Sequence, residues 1–136
     1  MKLQAFIKVA KLLNNNKILW AVGGSFLLYI KGIIKKFNDF DIMIAENDVE
    51  KVKRLLSDCG TLKTREKNRR YRSKAFLEYV IEETDFDIIA GFVIISEGVE
   101  HYFPLEKKDI VETVYIDDTP IPLQSVEEWK DYYYLK

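Results

Sequence analysis

Apolar residues recur over residues 3–13 with the spacing of one face of an α-helix. The residues on that face are Leu3, Phe6, Ile7, Ala10 and Leu13. A run of three asparagines, residues 14–16, follows and ends the pattern. The spacing therefore predicts an amphipathic helix whose apolar face packs on the core of the protein.

The next apolar segments predict a strand, a tight turn, a helix and a second strand. A β-prone run over residues 18–22 is followed at once by Gly23 and Gly24, which permit a tight turn because they lack a Cβ atom. Ser25 is then placed to cap a helix over the apolar residues that follow. A second β-prone run over residues 39–45 predicts the next strand.

Further along the chain the pattern is mostly that of strands. Alternating apolar residues over 75–81 predict a strand, and a short turn joins it to a longer apolar strand over residues 85–95. The short turn indicates that these two strands form an antiparallel hairpin. Short β-prone runs follow at residues 99–105 and 113–116, and Ser125 is placed to cap a last helix. Helices and strands thus interleave, which predicts an α+β protein.

The composition is that of one ordinary folded domain. The chain has 136 residues, of which 48% are hydrophobic and 32% are charged, so it can build a single substantial core. Its formal net charge of −1 gives no overall attraction to nucleic acid or to an anionic membrane. The chain has one cysteine, Cys59, and neither a signal sequence nor a long apolar span. We therefore expect residues 1–136 to form a single cytoplasmic domain.

Three aspartates lie within or beside apolar strands, where an acidic side chain needs a partner. Asp39 and Asp41 are two residues apart on an extended segment, so both side chains point to one face. Asp87 lies in the later strand, between Phe86 and Ile88. If the strands are neighbours, the three carboxylates can meet around one or two Mg²⁺ ions that bind the triphosphate of a nucleotide.

Such an arrangement is suited to nucleotidyl transfer. Divalent metal neutralises charge at the α-phosphate and stabilises the pyrophosphate leaving group, while the attacking hydroxyl is aligned opposite that group. The third carboxylate can take the proton from the hydroxyl. The backbone N–H groups of a Gly-Gly-Ser turn that opens a helix are a suitable site for the remaining phosphates.

This order of motifs resembles the nucleotidyltransferase superfamily, which includes DNA polymerase beta and the small antibiotic adenylyltransferases. The similarity extends from Trp20 to Phe92 and follows the order strand, Gly-Gly-Ser, helix, Asp-Phe-Asp, and a later Asp87 between two apolar residues. It implies a nucleotidyltransferase-type domain with a mixed β-sheet flanked by helices. It also implies ATP or another NTP as the donor and Mg²⁺, as two ions, as the cofactor.

The resemblance assigns a role to each motif residue. The implied nucleotide-binding residues are Gly23, Gly24 and Ser25, and the implied catalytic and metal-binding residues are Asp39, Asp41 and Asp87. Asp85 alternates onto the same face as Asp87, and the pattern of an aspartate between two apolar residues favours Asp87 as the third ligand. The acceptor, which carries a hydroxyl or a phosphate, stays open between a small molecule, RNA and protein.

Three other features have alternative interpretations. The basic stretch over residues 61–74 can guide an RNA acceptor, although such runs are more often solvated loops. His101 has no cysteine or histidine near it in the sequence, which argues against a zinc site. The aromatic residues of the last helix exceed what one helical face can bury, and this favours a homodimer or a partner protein docked there. They are Trp129, Tyr132, Tyr133 and Tyr134.

The competing hypothesis for the whole chain is a catalytically inactive, antitoxin-like module that keeps the fold for binding or regulation. Magnesium-dependent nucleotide binding distinguishes the two hypotheses, because the carboxylates have no such role in the inactive module.

Overall fold

A computed structural model describes residues 2–63 and 73–135. In these two segments the elements are α1 (Lys2–Asn15), β1 (Trp20–Gly23), α2 (Gly24–Ile30), β2 (Phe40–Ile44), α3 (Val49–Leu56), β3 (Thr61–Leu62), β4 (Ala75–Ile81), β5 (Thr84–Ala90), β6 (Phe92–Ser96), β7 (Val99–Phe103), β8 (Glu112–Ile116), β9 (Thr119–Leu123) and α4 (Val126–Leu135). Short 3₁₀ turns at Glu46–Asp48 and Lys107–Asp109 precede α3 and β8. The predicted first helix and the strands predicted around residues 20, 42 and 78 are confirmed.

The large sheet of this described region is mixed and has seven strands in the order β3-β4-β5-β2-β1-β9-β8, while β6 and β7 form a separate pair. Strand β1 is antiparallel to β2 and parallel to β9, and β2 is parallel to β5. Strands β4 and β5 form the predicted antiparallel hairpin. A mixed sheet flanked by helices confirms the predicted fold class. It also makes the motif-bearing strands β1, β2 and β5 direct neighbours.

The prediction of a single long strand over residues 85–95 is wrong. Strand β5 ends at Ala90, and β6 begins at Phe92 in the other sheet. Gly91 lies between them with a φ of +58°, a backbone conformation that favours glycine, and it turns the chain out of the large sheet. The residues on both sides of Gly91 are equally apolar, so hydrophobicity alone does not reveal the break.

Aromatic side chains fill one side of the large sheet, which we call the aromatic face. Helix α1 covers this side, and the Phe6 ring lies 4.8 Å from the Phe40 ring and 4.9 Å from the Phe26 ring, centroid to centroid. Phe40 in turn stacks on Phe86 of the neighbouring strand at 5.0 Å. Each of these four side chains is buried. Their contacts join α1, α2, β2 and β5 into one packed layer.

The opposite side of the sheet carries the acids, and we call it the carboxylate face. Successive side chains of a strand point to opposite faces, so Asp41 lies behind Phe40 and Asp87 lies behind Phe86. The alternation of Phe40 with Asp41 and of Phe86 with Asp87 therefore places aromatic core residues on one side of the sheet and carboxylates on the other.

Helix α4 packs on the end of β1. Glu128 donates a backbone hydrogen bond of 3.3 Å to Ser125 Oγ, which confirms Ser125 as the cap of this helix. The buried Trp129 indole lies where a Cβ atom on Gly23 would be, 2.4 Å from the ring. Its Nε1 donates a 2.7 Å hydrogen bond to Gln124 Oε1. Gly23 is thus needed for packing as well as for the turn that follows.

Candidate active site

The strand register brings Asp41 and Asp87 face to face. They are direct partners on the parallel strands β2 and β5. Asp39 comes two residues before Asp41, immediately ahead of β2. One carboxylate oxygen from each of the three lies within 4.8 Å of the others, and all three residues are half-buried. The three predicted side chains therefore lie together, and their roles as ligands and catalysts stay predictions.

The cluster has the chemistry of a magnesium site. Mg²⁺ prefers carboxylate oxygens at about 2.1 Å, so two oxygens on one ion lie up to about 4.2 Å apart. Paired metal ions in phosphoryl-transfer sites lie about 3.5–4 Å from each other. A spacing within 4.8 Å is compatible with either arrangement after small side-chain rotations. The residues thus fit one or two divalent cations.

The environment of Asp39 favours additional positive charge. Burial raises the pKa of its carboxyl group, and the negative charges of Asp85 and Glu78 raise this pKa further. The Lys2 ammonium lowers the pKa, and it is held nearby by hydrogen bonds of 3.3 Å and 3.0 Å to the carbonyl oxygens of residues 37 and 38. Since the net pKa is raised, the group gains from any cation close to it. A proton or a metal ion can supply that charge.

The Gly-Gly-Ser turn differs in one respect from the prediction. Ser25 does not cap α2, because the helix begins one residue earlier and Gly23 occupies the capping position. Ser25 lies inside the first turn, where its Oγ is buried and has no hydrogen-bond partner in the described part of the chain. A buried hydroxyl without a partner costs about 1–3 kcal/mol. A ligand oxygen that accepts its hydrogen would remove this cost, and a phosphate oxygen is such an acceptor.

Gly24 joins the turn to the carboxylates. Its φ is +60°, and a Cβ atom added there would lie 1.8 Å from Asp41 Oδ2. Any side chain at this position would therefore displace the Asp41 carboxylate. Because glycine has no side chain, the turn and the aspartate cluster stay in direct contact. A phosphate bound at Ser25 and a metal bound at Asp41 would therefore be neighbours.

Strand β4 adds a carboxylate that the sequence interpretation missed. Glu78 is the direct partner of Asp87 in the antiparallel pairing of β4 with β5. It lines a small cavity together with Asp39, Asp85 and Lys63. Lys63 Nζ lies 3.6 Å from Asp85 Oδ1. A glutamate among alternating apolar residues is ordinary for a half-exposed strand, so no signal in the sequence marked Glu78.

Two other predicted features are the basic stretch over residues 61–74 and the aromatic residues of the last helix. Most of the basic stretch, residues 64–72, lies outside the described residues. In α4, Trp129 and Tyr132 are buried, whereas Tyr133 and Tyr134 are 41% and 91% exposed. The predicted contact with a second copy or a partner protein therefore rests on these last two residues. Across residues 2–63 and 73–135 no helix is long and apolar enough to cross a membrane.

The mixed sheet and the placement of its motifs define the chain as a nucleotidyltransferase. More specifically, it belongs to the aminoglycoside-2''-adenylyltransferase family, whose family model matches residues 5–134. The resemblance found in the sequence motifs is thereby confirmed. Membership of an adenylyltransferase family also favours the enzyme hypothesis over the hypothesis of an inactive module. No curated protein matches the chain in a sequence comparison.

Solved structures share the fold. TM1012 of Thermotoga maritima, a candidate nucleotidyltransferase, is 24% identical with a TM-score of 0.80, over 97% of this chain and 82% of its own. The lincosamide antibiotic adenylyltransferase LnuA, solved with lincomycin bound, is 18% identical with a TM-score of 0.66, over 96% of this chain and 84% of its own. ANT(2'')-Ia, solved with adenylyl-2''-tobramycin, is 12% identical with a TM-score of 0.65, over 95% and 73%.

Proposed function

We propose that residues 1–136 act as one magnesium-dependent adenylyltransferase domain, which transfers AMP from ATP to a hydroxyl group of an aminoglycoside-type acceptor. The observation that carries the proposal is the meeting of three carboxylates next to the turn that carries Ser25, whose buried hydroxyl has no hydrogen-bond partner in the described part of the chain. The family name supports both ATP as the donor and this class of acceptor. Since ATP is made and used in the cytoplasm, the proposed reaction belongs there.

The proposed roles follow the positions of the side chains. The residues that hold Mg²⁺, as two ions, are Asp39, Asp41 and Asp87. The bound metal supplies charge neutralisation at the α-phosphate and at the departing pyrophosphate. Ser25 Oγ and the backbone N–H groups of Gly23 and Gly24 bind the β- and γ-phosphates. Two observations support this placement. The buried Ser25 hydroxyl has no hydrogen-bond partner among the described residues, and Gly24 lies directly against the Asp41 carboxylate, which puts the turn beside the proposed metal ligands.

The reaction is a single in-line displacement. The acceptor hydroxyl oxygen forms a bond to the α-phosphorus as the bond from that phosphorus to the bridging oxygen breaks. Pyrophosphate leaves with the electron pair of the broken bond. The hydroxyl proton passes to the Asp87 carboxylate, which acts as the general base. The products are the adenylylated acceptor and pyrophosphate.

Calorimetry with a non-hydrolysable ATP analogue tests the nucleotide site. We expect Mg²⁺-dependent binding by the wild type and a loss of at least about tenfold in affinity for both Asp39→Ala and Asp41→Ala, because each removes a charged ligand. Asp58→Ala is the matched control, since Asp58 is an exposed aspartate that takes no part in the cluster. Equal, weak binding by the wild type and both cluster variants would show that the carboxylates do not serve a nucleotide.

A second experiment tests the transfer itself. ATP labelled at the α-phosphate is incubated with the protein, Mg²⁺ and tobramycin, and in parallel with RNA and with a cell extract. Label on tobramycin supports the proposal. Label on RNA or on a protein instead would assign the acceptor to another class and would leave the nucleotide site standing.

A further inference from the structure

The groups of the carboxylate face follow the strand order. Gly24 stands at the end of β1, Asp41 is on β2, Asp87 is on β5 and Glu78 is on β4. Neighbouring strands are about 4.8 Å apart. The phosphate turn and Glu78 therefore lie on opposite sides of the aspartate cluster, with Glu78 one strand beyond Asp87.

The direction of the reaction assigns these two sides. In an in-line displacement the attacking group approaches the phosphorus opposite the leaving group. The leaving pyrophosphate belongs to the turn at Gly24 and Ser25, according to the proposed function on which this step rests. The acceptor must then approach from the side of β5 and β4. Glu78 therefore lies on the acceptor side of the site.

The cavity at this side is rich in negative charge. Its lining carboxylates belong to Asp39, Glu78, Asp85 and Asp87, and Lys63 is the cation among its described lining residues. Lys63 Nζ lies 3.6 Å from Asp85 Oδ1. In the proposed function Asp39 and Asp87 hold Mg²⁺, so their charges do not count toward the acceptor. Glu78 is a lining carboxylate outside the proposed metal site, and its charge favours an acceptor group that brings positive charge, such as a protonated amine.

The backbone fixes the position of Glu78 on both sides. On one side it pairs with Asp87 of β5. On the other side its carbonyl oxygen accepts a 2.7 Å hydrogen bond from the Lys63 backbone N–H. The half-buried side chain thus projects from a strand held between two neighbours, next to the residue proposed as the general base.

From this geometry we propose that Glu78 is a positioning residue that binds a protonated amine of the acceptor. The interaction holds the acceptor on the side of the site formed by β4 and β5. Glu78 takes no part in the bond changes or in the proton transfer. Its loss should therefore weaken acceptor binding without slowing the chemical step of the bound complex.

Glu78→Gln tests the proposal because it keeps the shape of the side chain and removes its charge. Adenylylation of tobramycin by ATP and Mg²⁺ is followed by pyrophosphate release. We expect KM for tobramycin to rise at least about tenfold, as for loss of a charged hydrogen bond, with kcat within about threefold and KM for ATP unchanged. Glu83→Gln is the control, since it removes the same charge from the exposed turn of the same hairpin.

Other results overturn the proposal. A fall in kcat at constant KM for tobramycin would make Glu78 part of the chemistry, and a loss of ATP affinity would make it part of the metal site. If Glu78→Gln does not fold, as judged by circular dichroism, Glu78→Asp is measured instead. It should raise KM for tobramycin, because its charge is withdrawn by one methylene group, and an unchanged KM would contradict the proposal.

The wild type separates this inference from the proposed function. If the wild type adenylylates tobramycin and Glu78→Gln has the same KM for tobramycin as the Glu83→Gln control, the amine contact is refuted and the proposed function stands. A wild type that binds the magnesium complex of the ATP analogue but does not adenylylate tobramycin would refute the proposed acceptor and leave the nucleotide site intact. A protein that binds no nucleotide would refute the proposed function itself.

Discussion

The two faces of the central strands have opposite properties, although they come from adjacent residues. Phe86 and Phe40 stack at 5.0 Å on the aromatic face and are fully buried. Asp87 and Asp41, one position further along each strand, are half-buried partners on the carboxylate face. The comparison indicates that packing on one side fixes the distance between charges on the other.

This arrangement balances unfavourable charge against favourable packing. Ionised carboxylates held within 4.8 Å of each other repel, and burial adds to the cost, as the raised pKa of Asp39 shows. A fully buried phenylalanine contributes about 1.5–3 kcal/mol by removal of its surface from water. The aromatic face can therefore hold β2 and β5 in register while the carboxylate face stays strained by like charge. Substitutions on the aromatic face should therefore mainly lower the stability of the fold, and substitutions on the carboxylate face should mainly lower the activity.

The largest expected effect comes from breaking the aromatic face. Phe86→Ala removes a buried ring that stacks on Phe40 and should lower the free energy of unfolding by about 3–5 kcal/mol. Urea denaturation followed by circular dichroism measures the change. Tyr134→Ala is the control, because that ring is 91% exposed and its removal should change stability by less than about 0.5 kcal/mol. Equal losses in the two variants would mean that the aromatic layer does not hold the sheet.

The neighbouring residue should give the opposite result. Asp87→Asn keeps the side-chain volume but removes the proposed ligand and base, so kcat for pyrophosphate release with tobramycin should fall about 100- to 1,000-fold, or about 2.7–4 kcal/mol. The free energy of unfolding should stay within about 0.5 kcal/mol or rise, because one repelling charge is gone. Asp131→Asn, at an exposed position of α4, should change neither quantity. A large loss of stability in Asp87→Asn would contradict the division between the faces.

The site could be predicted largely because its residues are close in sequence or repeat a local pattern. Asp39 and Asp41 share a face through strand periodicity alone, and Gly24 follows its strand directly. The motif order further suggested that Asp87 joins them. Its distance from Asp41 depends on the parallel pairing of β2 with β5, which no local pattern specifies.

What could not be predicted depends on long-range packing. The turn at Gly91 separates two equally apolar strands, and only the three-dimensional structure shows that β6 leaves the large sheet. Helix α2 begins at Gly24 rather than Ser25, and only the folded structure shows that Gly24 lies against Asp41 with no room for a side chain. Glu78 lies beside Asp87 only because of the register between β4 and β5. In each case the sequence constrains the element, and the packing decides the position of the side chain.

A smaller effect on nucleotide affinity is expected from a substitution in the Gly-Gly-Ser turn. Ser25→Ala removes a buried hydroxyl without a partner in the described structure, so the fold should lose no stability or gain slightly. Affinity for the magnesium complex of the ATP analogue should nevertheless fall about five- to tenfold, or about 1–1.4 kcal/mol, as one hydrogen bond to phosphate is lost. Calorimetry and thermal melting measure the two quantities. Ser57→Ala is the control, because its Oγ donates a 2.8 Å bond to the Arg54 carbonyl, away from the site. Unchanged affinity in Ser25→Ala would leave the hydroxyl without the proposed role.

The smallest expected effect is a shift in the pH dependence of magnesium binding. Metal ligation needs an ionised carboxylate. Burial and then Asp85 raise the pKa of Asp39, so protons compete with Mg²⁺ at a higher pH than at an ordinary aspartate. The raised value also means that the metal-free fold is favoured below the unfolded-state pKa of Asp39 and loses that advantage as the pH rises through the folded-state pKa.

Asp85→Asn removes the larger of the two charge effects that raise the pKa of Asp39. The lowest pH at which the protein still binds nucleotide in the presence of Mg²⁺ should therefore decrease. Calorimetry over a series of buffers between about pH 4 and pH 7 would measure this pH limit. Lys63, which lies 3.6 Å from Asp85, shifts the result in the same direction, because its charge is then no longer offset by a carboxylate. Asp131→Asn, which removes a charge from an exposed position of α4, should leave this pH limit in place. A shift to higher pH in Asp85→Asn would mean that Asp85 helps to hold the metal, and Asp87 would then have to share the role of third ligand with it.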